Sequence, residues 1–179
     1  MRKLRTIEMR RLSVEAFKEA PKRPLIVVLD NVRSLHNVGS VFRSCDAFCI
    51  EAVYLCGITA TPPSAEIHKT ALGAEDSVAW LHFEHTEDAV QQLRESGALV
   101  YAVEQTEGST MLQNFCTESG KRYAVVLGNE VKGVQQSVVD LCDGCIEIPQ
   151  FGTKHSLNVS VAAGIVIWEL AKQLKRSIT

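Results

Sequence analysis

Leu25-Ile26-Val27-Val28-Leu29-Asp30-Asn31-Val32-Arg33-Ser34-Leu35-His36-Asn37-Val38-Gly39-Ser40-Val41-Phe42-Arg43 is the stretch on which the fold turns. Residues 25–29 are unbroken apolar sequence, the pattern of a strand covered on both faces. From 37 to 48 the apolar positions Val38, Val41, Phe42, Cys45 and Phe48 recur at helical spacing. A doubly buried strand that runs into an amphipathic helix is the unit of a parallel α/β sheet. Reading outward, strands are expected at 52–56, 78–81, 98–103, 123–127 and 146–148. Helices are expected from Ser64 through Ala71, over 86–96, over 134–141, and over 156–176 with Ser156 as cap. The order β-α-β-α-β-α-β-β-α-β-α argues for an α/β fold on a mostly parallel, Rossmann-like sheet flanked by helices.

The chain has 179 residues, 46% of them hydrophobic and 22% charged, which suits one soluble globular domain and excludes a disordered or collagenous protein. Its most apolar runs are too short to span a membrane, and no signal-length apolar stretch follows the basic start before Leu25, so the expectation is cytoplasmic. The net charge of −2 divides unevenly: residues 1–23 carry +5 and the rest −7. A basic arm on an acidic body suits either a polyanion gripped at one place or a solvated helix. Residues 1–20 read as that arm, a basic helix with Leu4, Ile7, Met9, Leu12 and Phe17 as its apolar positions. Residues 21–179 read as a single domain. The last helix is apolar nearly all round from Val159 to Leu170, which suggests a partner subunit on one face.

In open α/β sheets, ligands collect beyond the carboxyl ends of the strands. Four such ends are polar here: 30–43, 104–108, 128–133 and 149–158. Neither G-x-G-x-x-G nor G-x₄-G-K-[ST] occurs, which argues against dinucleotide and ordinary nucleoside-triphosphate chemistry. Asn37 and Arg43 flank Gly39 and Ser40 at the start of a helix. Helix amides with a nearby guanidinium can receive a phosphate; equally, Arg43 can be a structural residue on the helix flank. Gly128 lets the backbone approach a ligand closely, with the Glu130 carboxylate beside it. Ser156 and Asn158 can cap a helix and do nothing more.

Three segments together say more than any one of them. Asn37-Val38-Gly39-Ser40-Val41-Phe42-Arg43, then Val126-Leu127-Gly128-Asn129-Glu130-Val131-Lys132-Gly133-Val134, then Ile148-Pro149 followed by Ser156-Leu157-Asn158-Val159-Ser160-Val161-Ala162-Ala163, resemble the motifs of the SpoU (TrmH-like) branch of the SPOUT RNA methyltransferases. The resemblance covers about residues 24–175 and extends to Lys69-Thr70-Ala71-Leu72-Gly73-Ala74. It implies a C-terminal trefoil knot, S-adenosylmethionine (SAM) as cofactor, a homodimer, and methyl transfer to a ribose 2′-hydroxyl of tRNA or rRNA. It further implies Asn37, Arg43, Glu130, Ser156 and Asn158 as the catalytic group. Val103, Gly128, Ile148 and Leu157 match the positions that hold the cofactor, and no metal is implied. Larger relatives carry a separate RNA-binding domain, where this chain has only its arm.

Two other readings differ in class. A knotted RNA-binding module without turnover would retain the grip and fail to methylate. A hydrolase or redox protein of flavodoxin-like topology would rest on Cys142-Asp143-Gly144-Cys145. That pair follows a helical pattern and precedes a strand, the reverse of the usual redox placement, and no second ligand pair completes a zinc site. Reduced, partly buried thiols are expected.

Overall fold

The computed structural model describes residues 1–175; Arg176, the expected end of the last helix, lies outside them. After a 3-10 turn at Thr6–Met9, the elements are α1 (Val14–Glu19), β1 (Arg23–Asp30), α2 (Leu35–Ala47), β2 (Ile50–Cys56), α3 (Ala65–Ala71), α4 (Ala74–Ser77) and β3 (Ala79–Phe83). They continue with α5 (Thr86–Glu95), β4 (Leu99–Val103), β5 (Thr110–Met111), β6 (Tyr123–Leu127), α6 (Gln136–Val139), β7 (Gly144–Glu147) and α7 (Val159–Gln173).

The strands form one seven-stranded sheet in the order β3-β2-β1-β6-β4-β7-β5, with every pairing parallel. Alternation along β1 divides the core. Leu25, Val27 and Leu29 face a layer holding α1, α2 and α7, while Ile26 and Val28 face α5 and α6. Both layers are apolar, so β1 reads as a continuous run rather than an alternating one. The chain order reverses beside β1, placing a switch point between the carboxyl ends of β1 and β6, at Asp30 and Gly128. β7 is inserted between β4 and β5, an order that accords with a threaded C-terminus.

Several expectations shift in detail. β5 is two residues long, and no period can reveal a strand so short. α6 is a single turn rather than the eight residues expected over 134–141. The last helix starts at Val159 and is capped by Asn158, whose side-chain oxygen accepts from Ser160 N at 2.9 Å and Val161 N at 3.4 Å. Ser156 is therefore not the cap. Residues 1–20 do not form one helix either. Leu4, Ile7, Met9 and Leu12 are exposed, while Phe17 is buried in the main core. Cutting the chain after residue 20 would thus remove a core aromatic, which costs about 3 kcal/mol or more; a cut before Ser13 spares it. No described helix is long and apolar enough to cross a membrane.

Candidate active site

The carboxyl ends of β4 and β6, together with the segment after β7, enclose a cleft of about 480 Å³. Val103, Gly128, Ile148 and Leu157 all line it, as do Glu130 and Ser156. These are the four expected cofactor positions and two of the five expected catalytic ones. Asn37, Asn158 and Arg43 stand outside the lining.

Glu130 joins the cleft to the start of α2. Its carboxylate accepts from the Arg33 and Ser34 amides, both at 3.0 Å, and from Asn37 Nδ2 at 3.1 Å. Asn37 Oδ1 in turn accepts from Asn158 Nδ2 at 3.2 Å. The series has one direction. A carboxylate can only accept, and the Asn158 oxygen is committed to the N-terminus of α7, so each amide is oriented from both ends. Asn37 and Asn158, 121 positions apart in the chain, are thereby brought together.

The N-terminus of α2 is partly occupied: the Arg33 and Ser34 amides just ahead of it hold Glu130, and Asn37 N donates to Ser34 Oγ at 3.3 Å. Gly39 is also explained otherwise: a Cβ there would sit 2.2 Å from both Ile67 O and Thr70 Oγ1, so the glycine permits α2 to cross α3. Arg43 is exposed, and its guanidinium makes no hydrogen bond or ion pair among the described residues. Six helical residues place it about 120° round α2 from Asn37, which is buried, so the two side chains leave the helix in different directions.

Burial pushes the Glu130 carboxyl up, but hydrogen bonds from the Arg33, Ser34 and Glu130 amides and from Asn37 outweigh it. The net effect holds the group below its ordinary 4.5. A carboxyl lowered by folding stabilises the fold above its unfolded value, and that contribution is lost as pH falls through the folded value. The melting-temperature gap between the natural chain and Glu130→Gln is thus expected to be widest near neutrality and to close below about pH 4. A gap of equal size at pH 3.5 and pH 7 would refute the assignment.

The sequence reading missed three supporting residues, although it flagged the segments that carry them. Asp30 is fully buried and accepts from Thr86 Oγ1 at 2.7 Å, Asn31 Nδ2 at 2.8 Å, Gln135 N at 2.9 Å and Gln135 Nε2 at 3.1 Å. It ties the end of β1 to the approach to α6. Glu104, in the cleft lining, accepts from Val134 N at 3.0 Å and Gln105 N at 3.0 Å. Asn129 closes the turn at 129–133, accepting from the Val131 and Lys132 amides and donating to Asn31 O at 2.7 Å.

Cys142 and Cys145 lie on the α5 side of the sheet, with no disulfide. Burial pushes the Cys142 thiol up to about 12, the opposite of what an activated thiolate requires. Among the described residues no group of three His, Cys, Asp or Glu side chains could hold a metal ion.

The profile of the SpoU rRNA methylase family matches residues 24–168, from β1 into α7. The chain belongs to this family. Among curated SpoU relatives, a tRNA (guanosine(18)-2′-O)-methyltransferase of Aquifex aeolicus is 33% identical over 93% of this chain and 78% of its own length. A 23S rRNA (guanosine-2′-O-)-methyltransferase RlmB of Neisseria meningitidis is 31% identical over 89% of this chain; the match covers 62% of that relative. This SpoU chain therefore spans about three fifths of the RlmB proteins it resembles. Among solved structures, the A. aeolicus TrmH/SpoU tRNA modifying enzyme superposes with a TM-score of 0.78 at 27% identity, covering 89% of this chain and 80% of that one. An AdoMet-bound rRNA methyltransferase from Sinorhizobium meliloti gives 0.78 at 27% identity, over 91% and 61%.

Proposed function

We propose that this chain transfers a methyl group from SAM to a ribose 2′-hydroxyl of tRNA or rRNA, as a cytoplasmic homodimer with a knotted C-terminus. The observation that carries this reading is the cleft beyond the carboxyl ends of β4 and β6, next to the switch point, where one carboxylate orders the ends of two helices. The cleft suits the cofactor. Its size lies within the range of small-molecule sites, about 300–1,000 Å³. Val103, Ile148 and Leu157 supply apolar wall, and the turn after Gly128 supplies backbone edges to read an adenine. Bound SAM supplies an electrophilic methyl group.

The protein's own groups divide by role. Glu130 is a positioning residue: held ionised with its oxygens engaged, it is a weak base, and it sets the 31–34 loop and Asn37. Asn158 fixes where α7 begins and so where Ser156 and Leu157 meet the cleft. Arg43 supplies the free guanidinium that can grip a phosphate at two points. The exposed cations Arg2, Lys3, Arg5, Arg10 and Arg11 give RNA a further contact.

The subunit contact is assigned to α7. Val161, Ile165 and Trp168 are 50%, 37% and 54% exposed, an apolar stripe along one side of a helix whose other side fills the core. Light scattering is expected to give a dimer mass at micromolar concentration and a monomer mass for Trp168→Glu. A monomeric natural chain would overturn this part of the reading.

The reaction is tested by mixing the protein with labelled SAM and total RNA, and by mapping ribose methylation in RNA from cells with and without the protein. Incorporation at a 2′-oxygen is the expected result. SAM binding without incorporation would leave a silent knotted RNA-binding module instead.

A further inference from the structure

Two loops form lips of the cleft, and each carries an exposed apolar side chain with a lysine close behind it. On 128–133 these are Val131, 76% exposed, and Lys132. On 149–158 they are Phe151, 97% exposed, and Lys154, both just outside the lining, which takes Gln150, His155, Ser156 and Leu157 from this loop. Phe151 has no ring contact among the described residues, and neither lysine ammonium has a hydrogen bond or ion pair there. The neighbouring Gly152 has open space where a side chain would stand.

A phenyl ring left wholly in water beside a cleft invites an occupant, and the composition of the lips indicates which. The α7 stripe of Val161, Ile165 and Trp168 has no cation interleaved along it, as suits a contact between copies of one chain. The lips pair an aromatic with ammonium groups instead. That pairing takes a nucleotide: the base lies on the ring and its phosphates meet the lysines. Within an A-form duplex a base has neighbours on both faces and offers no free surface to a ring.

We propose that Phe151 is a stacking platform for an unpaired base of the RNA, and so a specificity residue that confines the reaction to nucleotides outside duplex. Its purpose rests on the methyltransferase reading; its binding chemistry does not. The ring repays part of the stacking that an extruded base has lost, while Lys132 and Lys154 hold the strand without regard to sequence.

The test uses the full chain with a roughly 12-nucleotide RNA containing 2-aminopurine, as a single strand and as a duplex. Phe151→Ala is expected to weaken single-strand affinity about tenfold and to abolish quenching of the 2-aminopurine on binding. Duplex affinity, SAM affinity by calorimetry and dimer mass should stay unchanged. Phe151→Trp should bind within about threefold of the natural chain, because a larger ring still stacks. Phe151→Leu should behave like the alanine variant, because apolar volume without a π-face does not. Unchanged single-strand affinity in Phe151→Ala, or a leucine variant like the natural chain, would overturn the proposal. So would a loss confined to SAM affinity, which puts the ring over the cofactor, or a shift to monomer, which puts it in the subunit contact. Methyl transfer by the natural chain into total RNA separates the two readings. No transfer with the stacking results intact removes the methyltransferase reading alone, whereas transfer with unaltered binding in Phe151→Ala removes the platform alone.

Discussion

Replacement of Arg43 by alanine is expected to slow turnover at least about 100-fold, the scale for one preorganised donor, and to leave SAM affinity unchanged. Arg43 is exposed on α2 and its guanidinium spends no hydrogen bond on the protein, so its five donors are available to a ligand. It also lies outside the cleft lining, which is why cofactor binding should survive its loss. Guanidinium remains charged and cannot accept a proton, and a nearby phosphate would favour the charged form further. Its role on the proposed reading is therefore to clamp the phosphate beside the reacting ribose and to stabilise the developing alkoxide. Arg43→Lys should restore little, because an ammonium lacks the planar two-point grip. Single-turnover rates at saturating RNA, read beside SAM calorimetry, decide the matter. Near-natural turnover in Arg43→Ala would remove it from the catalytic group.

Gly128→Ala is expected to disrupt the cleft from within. A Cβ on residue 128 would stand 2.0 Å from the Gly133 carbonyl carbon and 2.1 Å from Val134 N. Both are backbone atoms of the turn that Asn129 N and O close onto Gly133 at 3.0 and 2.9 Å, so no flexible side chain can swing aside. Relief requires opening that turn, with a cost of about 3 kcal/mol and a loss of SAM affinity of at least about 100-fold. The glycine therefore serves a close approach of the chain to itself, where the sequence suggested an approach to a ligand. Denaturant unfolding and SAM calorimetry on the variant test both effects; natural stability with natural affinity would show that the turn yields freely.

Two further glycines show a local and a distant reason. Gly57, just after β2, has a positive φ of 60°, which already favours glycine there, and a Cβ would also stand 2.2 Å from Asn31 Oδ1. Gly39 looked like part of an anion site because it opens a helix, yet its reason is α3, a segment some thirty residues away in the chain. The last helix divides similarly. Its apolar length was plain in the sequence, but the choice between Ser156 and Asn158 as cap was not, since both residues cap well in isolation. Asn158 takes the position because its amide nitrogen also has an acceptor waiting in Asn37.

Local pattern by itself determined the α/β class, the parallel sheet, most element positions and the four polar strand ends where a site could lie. The physical reason is that burial on both faces writes an apolar run into each central strand, and one-sided burial writes a helical period into each covering helix. Tertiary structure alone decided the strand order, the insertion of β7 between β4 and β5, and which polar residues meet. Glu130, Asn37 and Asn158 come together across 93 and 121 positions of chain. No periodicity encodes such a meeting, because hydrogen bonds between loops depend on where crossovers deliver the chain, and the residues that make them leave no repeat behind.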